Sequence, residues 1–378
     1  MTSRPVLRTR LCDLLGIDYP VLQSGMGQIA GSGLVAEVSN AGGLGILAAA
    51  LLTADQVRKA VGEIRAKTDR PFGVNLLLPP ELRPPVPAAQ IPDQTVQAVQ
   101  SALNPMRRDL GLPAVSARPS PPPDLILEAF QVILDERVPV FSVGLGNPGP
   151  EMVAECHRRG IKVIAMVTTV DDARAVEASG LDAVVVQGGE AGGHRSSFEK
   201  PPLPEIGVIG TFTLVPQVVD AVRIPVIAAG GIADGRGLMA ALALGASGIL
   251  MGTRFVATRE SMAPEMYKKA LLERSGDATT VTDAFSGRYA RALRNSFTDR
   301  YASSGAPVLP FLWQYVASGD IYKGAAAQGN PDYFPMWAGQ SVGLIHNLPG
   351  AAEVVELTIR EARALLLQGI PHAVKLGE

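Results

Sequence analysis

Ala183-Val-Val-Val-Gln-Gly-Gly-Glu-Ala-Gly-Gly-His-Arg195 joins an unbroken apolar run to a glycine-rich turn that ends on a histidine. A short β-branched run stopped by Gly-Gly reads as a strand buried on both faces. The turn then presents backbone N–H groups and His194 at the strand's C-terminal end. Two later stretches repeat the pattern, Ile224-Pro-Val-Ile-Ala-Ala-Gly-Gly-Ile-Ala-Asp-Gly235 and Gly248-Ile-Leu-Met-Gly-Thr-Arg-Phe255. Bare amides at strand ends bind phosphate, and in a (β/α)8 barrel the phosphate usually sits on the loops after the seventh and eighth strands. Together the three stretches predict a barrel that holds a phosphorylated cofactor beside His194.

Outward from these stretches, apolar runs alternate with segments of helical period, the mark of a parallel sheet with crossover helices. The strand-like runs are 19–24, 44–48, 71–77, 138–145, 162–167, 183–187, 225–229 and 248–251, and eight is the barrel number. Helices are expected at 34–40, 54–68, 151–159, 170–179, 211–222 and 237–244, each bounded by Gly, Pro, Asp or Thr. A Rossmann sheet competes, but Gln23-Ser-Gly-Met-Gly27 lacks the glycine spacing of a dinucleotide turn. The fold class is therefore α/β, a TIM barrel.

Two segments break the rhythm. Residues 78–124 carry Pro79-Pro80, Pro84-Pro85-Val86-Pro87 and Pro119-Ser-Pro-Pro-Pro123 around a helical patch at 95–110. An insertion there, after the third strand, is either a cover for the substrate or a surface arm. From 261 to 378 the chain is rich in helix formers and reads as a small helical domain folded over the mouth of a barrel spanning 1–260.

Composition narrows the function. At 378 residues and 47% hydrophobic, the chain can bury a large core. A net charge of −2, from 34 basic and 36 acidic residues, leaves no electrostatic footprint for nucleic acid or an anionic membrane. Cys12 and Cys156 are the whole cysteine complement, too few for a disulfide framework or a metal cluster, and no metal site is expected. The first residues lack the apolar core of a signal peptide, and no apolar run is long enough to span a bilayer. A soluble cytoplasmic protein acting on a small molecule is the expectation.

The chain resembles the nitronate monooxygenase family, formerly called 2-nitropropane dioxygenases, and its relatives the FMN-dependent enoyl-acyl carrier protein reductases and NADH:quinone reductases. The likeness runs from 9 to 352 outside the insertion. It rests on Pro20-Val-Leu-Gln-Ser-Gly-Met26, Val38-Ser-Asn-Ala-Gly-Gly-Leu-Gly45, Arg70-Pro-Phe-Gly-Val-Asn75, Gln187 to Arg195, the Ala-Ala-Gly-Gly-Ile turn, Met251-Gly-Thr-Arg-Phe255 and Trp337-Ala-Gly-Gln340. These anchors are specific for the superfamily and much less so for the reaction.

The resemblance implies non-covalent FMN. Gly230, Gly231, Gly252 and Thr253 would offer its phosphate backbone donors and one hydroxyl. Gly25 and Met26 would lie along the flavin ring, Asn75 and Gln187 would meet its polar edge, and Gly192 and Gly193 would line the same face. A single Gly-Gly is an ordinary turn; two phosphate-type turns on consecutive strands are what mark the site. His194 matches the family's catalytic histidine, with Glu190 either orienting it or satisfying backbone N–H groups, and Arg195 either attracting an anionic substrate or, the preferred reading, a solvated side chain. His157, His346 and His372 read as structural. Tail residues Trp313, Tyr315 and Trp337 would close a small substrate pocket.

Departures bear on the reaction. Well-known monooxygenases have a further histidine at the end of the fourth strand, where this chain has Ser142-Val-Gly-Leu-Gly-Asn-Pro148, an ending like that of the reductases. The insertion, the His194-Arg195 pair and Trp337-Ala-Gly-Gln340 match the monooxygenases instead. Nitronate oxidation with O2, to a carbonyl product and nitrite, therefore leads. An NAD(P)H-dependent FMN reductase is the alternative, a flavin-binding module without turnover comes third, and a homodimer stays open.

Overall fold

In the computed structural model, residues 7–203 and 208–369 are described. Eight parallel strands form the barrel: β1 (Val21–Gln23), β2 (Gly45–Ala48), β3 (Phe72–Leu77), β4 (Val140–Gly144), β5 (Lys162–Val167), β6 (Ala183–Gln187), then, past the two-residue β7 (Gly193–His194), β8 (Val226–Ala229) and β9 (Gly248–Met251). Hydrogen-bonded order runs β1-β9-β8-β6-β5-β4-β3-β2. The ring closes where Leu22 bridges Leu44 in parallel.

That seam is short, and Gln23 reinforces it. Its buried amide accepts from Ile46 N at 3.1 Å and donates to Ile46 O at 3.2 Å, supplying across the gap the two bonds a ladder would make. Left unpaired, such a group would cost about 1–3 kcal/mol.

Alternation along each strand separates two layers. Val184 and Val186 face the helices, while Ala183 and Val185 join Ile46, Val140, Ile164, Ile227 and Leu250 inside the barrel. Leu11, Cys12 and Leu15 of α1 (Arg10–Leu15) plug the interior from the strands' N-terminal end. Continuing the inward register upward, the next residues are Asn75, Ser142 and Gln187, so the apolar interior ends in a polar floor at the mouth.

The outer helices are α2 (Ser32–Asn40), α3 (Ala54–Arg65), and, after the insertion's α4 (Asp93–Asp109), α5 (Ile126–Asp135), α6 (Gly149–Arg158), α7 (Val170–Ala178), α8 (Thr211–Ala221) and α9 (Gly235–Ala243). After β9 come α10 (Thr253–Val256), α11 (Glu265–Glu273), strands β10 (Thr279–Thr282) and β11 (Ala290–Leu293), α12 (Ser296–Ser304), α13 (Trp313–Ala317), α14 (Gly319–Ala327) and α15 (Ala351–Ala364).

Here the C-terminal region departs from the expected helical cover. It contains a β10-β11 hairpin, and β11 pairs antiparallel with β7, setting Ala290 opposite His194 and Arg291 opposite Gly193. The last α-helix among the described residues does not cap the mouth. α15 packs on α9 and α2, in the place of the barrel's final helix, and Glu361 on it accepts Gly235 N at 3.0 Å. The 1–260 limit drawn for the barrel thus leaves out one of its own helices.

The insertion is joined to the same region. Val96, Val99, Leu103 and Met106 of α4 share a core with Phe285, Phe297, Tyr301, Trp313, Ile321 and Tyr322. Arg107, 1% exposed, bonds Asp320, Gln100, Asn104 and the Ala317 carbonyl, which locks α4 to α14. It is packed into the C-terminal layer and is no extended surface arm.

Candidate active site

His194 stands where three loops meet. Its backbone is held by β11, and its ring lies between Trp337, 5.1 Å away at 44°, and Phe311, 5.3 Å away edge-on. Nε2 is 2.7 Å from Ser286 Oγ. The residue is half-buried, and burial, followed by the nearby Arg288 cation, pushes its pKa down to about 4. The imidazole is therefore neutral over the working range of most enzymes.

The glycine turns leave donors free. Gly230 and Gly231 take positive φ, 104° and 72°, a backbone that side chains rarely adopt. Among the described residues no acceptor uses the N–H of Gly230, Gly231 or Gly252. At Gly25 an added Cβ would stand 2.6 Å from Asn75 Cβ, so these two loops meet only because that side chain is missing. Asn75 donates Nδ2–H to Ser142, and its Oδ1 accepts no hydrogen bond from the described residues. Unfilled amides on two positive-φ glycines and on Gly252, beside an amide acceptor, fit a phosphorylated flavin.

Several expected site residues serve the protein itself. Gln187 is 4% exposed and closes its own loop, donating to His194 O at 2.9 Å and accepting from Ser196 N at 2.8 Å. Thr253 Oγ1 accepts from Gly339 N at 3.0 Å, and a Cβ on Gly192 would collide with Ala338 and Gly339. Both tie the Trp337-Ala-Gly-Gln340 segment to the mouth. Gly193, at φ 76°, starts β7 with open space beside it.

Trp313 is a correction. It is 1% exposed and donates to the Val86 carbonyl at 3.0 Å, a core residue clamping the insertion and no part of the pocket wall. Trp337 does reach His194, and Tyr315 is joined to the loop after β1, its hydroxyl accepting from Gln28 at 3.1 Å. Glu190 does not orient His194. Its carboxylate accepts from Thr211 N at 2.8 and 3.0 Å and from Thr211 Oγ1 at 2.8 Å, capping the start of α8.

Arg195 is not a solvated arginine either. It donates to the Gln187 and Gly188 carbonyls, while Arg291 donates to Gly189 O, so two cations fasten the turn's carbonyls. Sequence reading missed Ser286 and Phe311, which meet His194 only through the tertiary fold. Asn147 accepts from Gly149 N and donates to Ser179, which makes the Gly-Asn-Pro ending a structural turn. Among the described residues there is no metal-binding cluster and no helix long and apolar enough to cross a membrane.

The nitronate monooxygenase family model matches residues 8–361. The probable nitronate monooxygenase of Staphylococcus haemolyticus is 38% identical, over 88% of this chain and 91% of its own length. That of Staphylococcus saprophyticus is 34% identical, covering 95% and 99%. Among solved structures, nitroalkane oxidase from Streptomyces ansochromogenes superposes with a TM-score of 0.84 at 35% identity, over 95% of this chain and all of that one. FabK from Thermotoga maritima gives 0.76 at 34%, over 98% of this chain and 100% of that chain. With a family model that spans nearly the whole chain and relatives above 30% identity along most of their length, the chain belongs to the nitronate monooxygenase family of flavin-dependent oxidoreductases.

Proposed function

We propose that this enzyme holds FMN and oxidises alkyl nitronates of the propionate 3-nitronate type with O2, releasing a carbonyl product and nitrite. The observation that carries this reading is His194, a neutral imidazole set between two aromatic rings at the glycine-turn mouth. FMN supplies the electron-transfer chemistry. The phosphate would be held by the free amides of Gly230, Gly231 and Gly252, and Asn75 Oδ1 would accept from the flavin's polar edge. Gly25, whose missing Cβ lets the β1 loop close on Asn75, and Met26 beside it would lie along the flavin ring.

His194 then orients the substrate and, for a neutral nitroalkane, accepts the α-carbon proton, leaving the nitronate. Phe311, Trp337 and Tyr315 exclude water, which strengthens every polar contact made inside. A reductase reading draws on the likeness to FabK and on the missing strand-four histidine. The two are separated by mixing the yellow holoenzyme anaerobically with NADH, NADPH and propionate 3-nitronate in turn. Flavin reduction by the nitronate, with nitrite formed on admitting air, is expected. Rapid bleaching by a nicotinamide with no nitrite would replace this proposal with the reductase.

A further inference from the structure

Ser286 sits in the β10-β11 connection, 2% exposed, and its hydroxyl has two neighbours. It donates to Arg288 O at 3.3 Å and lies 2.7 Å from His194 Nε2. A hydroxyl has one hydrogen. With that hydrogen on the Arg288 carbonyl, Oγ turns a lone pair to the imidazole, and Nε2 must be the protonated nitrogen. In a neutral ring Nδ1 then carries the lone pair. Nδ1 has no hydrogen bond to a described residue, and it is not among the buried side-chain atoms without a partner, which are Glu81 Oε2, Arg254 Nε, Arg288 Nη1 and Ser318 Oγ. It therefore opens onto accessible space.

The turn that carries Ser286 is held from all sides. Gly287 has φ 91°, and a Cβ there would stand 2.5 Å from Leu309 O, so only glycine brings the two loops together. Leu312 N donates to Ser286 O at 3.0 Å, Tyr322 OH to Phe285 O at 3.0 Å, and Gln314 to Ala284 O at 2.9 Å. Arg288 itself is fixed through Phe198 O at 3.1 Å and Glu81 at 3.4 Å. Such support is what a geometry-setting group needs.

We propose that Ser286 is a positioning residue for His194: by accepting from Nε2 it fixes the Nε2–H tautomer and presents Nδ1 to the substrate. The presentation to substrate rests on the functional reading above; the tautomer does not. The test uses holoenzyme labelled with 15N-histidine, its His194 signals identified by their loss in His194→Asn. Wild type should show a protonated Nε2 and a lone-pair Nδ1 at pH 7. Ser286→Ala should mix in the other tautomer and lower kcat/KM for the nitronate by about 3–10-fold, the worth of one hydrogen bond, with flavin absorbance retained. Ser286→Thr, which keeps the hydroxyl, should restore both.

A protonated Nδ1 in wild type overturns the proposal, and this spectrum decides it even where Ser286→Ala does not fold. An unchanged spectrum in Ser286→Ala, or a changed one with kcat/KM unaltered, overturns it as well. Undiminished nitrite release by His194→Asn would instead sink the functional reading and leave the wild-type tautomer standing.

Discussion

At the scale of single residues, the site is built from groups whose cost is borne by their surroundings. Gln28, Leu145 and Leu312 take φ of 59°, 62° and 65°, each roughly a 1–3 kcal/mol strain, and each adjoins the mouth: Gln28 bonds Tyr315, Leu145 N meets Ser196 Oγ, and Leu312 N meets Ser286 O. His194 adds an electrostatic cost. Its pKa of about 4 lies below the ordinary value near 6.5, so the unfolded chain binds this proton more readily than the native one. The resulting stability is present above the unfolded pKa and is lost as pH falls toward the folded one, up to about 3 kcal/mol in all. Urea midpoints of wild type should therefore approach those of His194→Asn between pH 7 and pH 4, and kcat/KM should hold its value to near pH 5. An acidic limb of kcat/KM centred near 6.5 would show that the ring titrates as in water. His194 and the glycine turns were legible because phosphate-type turns follow two consecutive barrel strands and the histidine sits on the turn after the strand before them. Ser286 and Phe311 were not, since nothing in Phe285-Ser-Gly-Arg288 marks a serine that meets a histidine 92 residues away.

At the scale of elements, legibility followed burial. Parallel barrel strands are covered on both faces, so β5, β6 and β9 stand out as apolar runs. β10, Thr279-Thr-Val-Thr282, is half-buried throughout, and β7 is two residues long, so neither carries a pattern; their pairing exists only once β11 lies between them. The Pro-rich insertion hid the amphipathic α5 that completes the β3-to-β4 crossover, and its own α4 has a partner, α14, more than 200 residues away. Arg107 makes that pairing specific. Arg107→Ala would strip the Ala317 carbonyl and the Gln100 amide of their buried donor, while the partly exposed Asp320 rehydrates. A loss of roughly 1–3 kcal/mol is expected, localised to the α4–α14 contact. Hydrogen exchange reads it: amides in 93–109 should exchange about 10–100-fold faster while those of β5 and β6 stay protected. Uniform loss of protection would mean that this layer and the barrel unfold as one unit.

At the scale of the molecule, the chain's ends and the middle of its tail have different tasks. Residues between α10 and α15 form the second layer with the insertion, supply the strand that holds His194, and then return the chain to the barrel wall. Val354, Val355, Ile359 and Ala362 of α15 join the main core with Leu34, Val35 and Leu238. A Cβ on Gly235 would stand 2.4 Å from Ala362 N and 2.5 Å from Glu361 Cβ, a collision that shows how closely α9 and α15 are fitted. A chain ending at residue 260 would keep all eight barrel strands yet expose the face that α15 covers and leave β7 without its partner. Burying apolar side chains is worth about 1.5–3 kcal/mol apiece, so losing this helix removes a large part of a typical 5–15 kcal/mol margin. The truncated chain should lack near-ultraviolet circular dichroism and a cooperative urea transition, while the full chain shows both. A sharp transition in the shortened chain, with bound flavin, would instead establish that 1–260 folds alone and that α15 is dispensable wrapping.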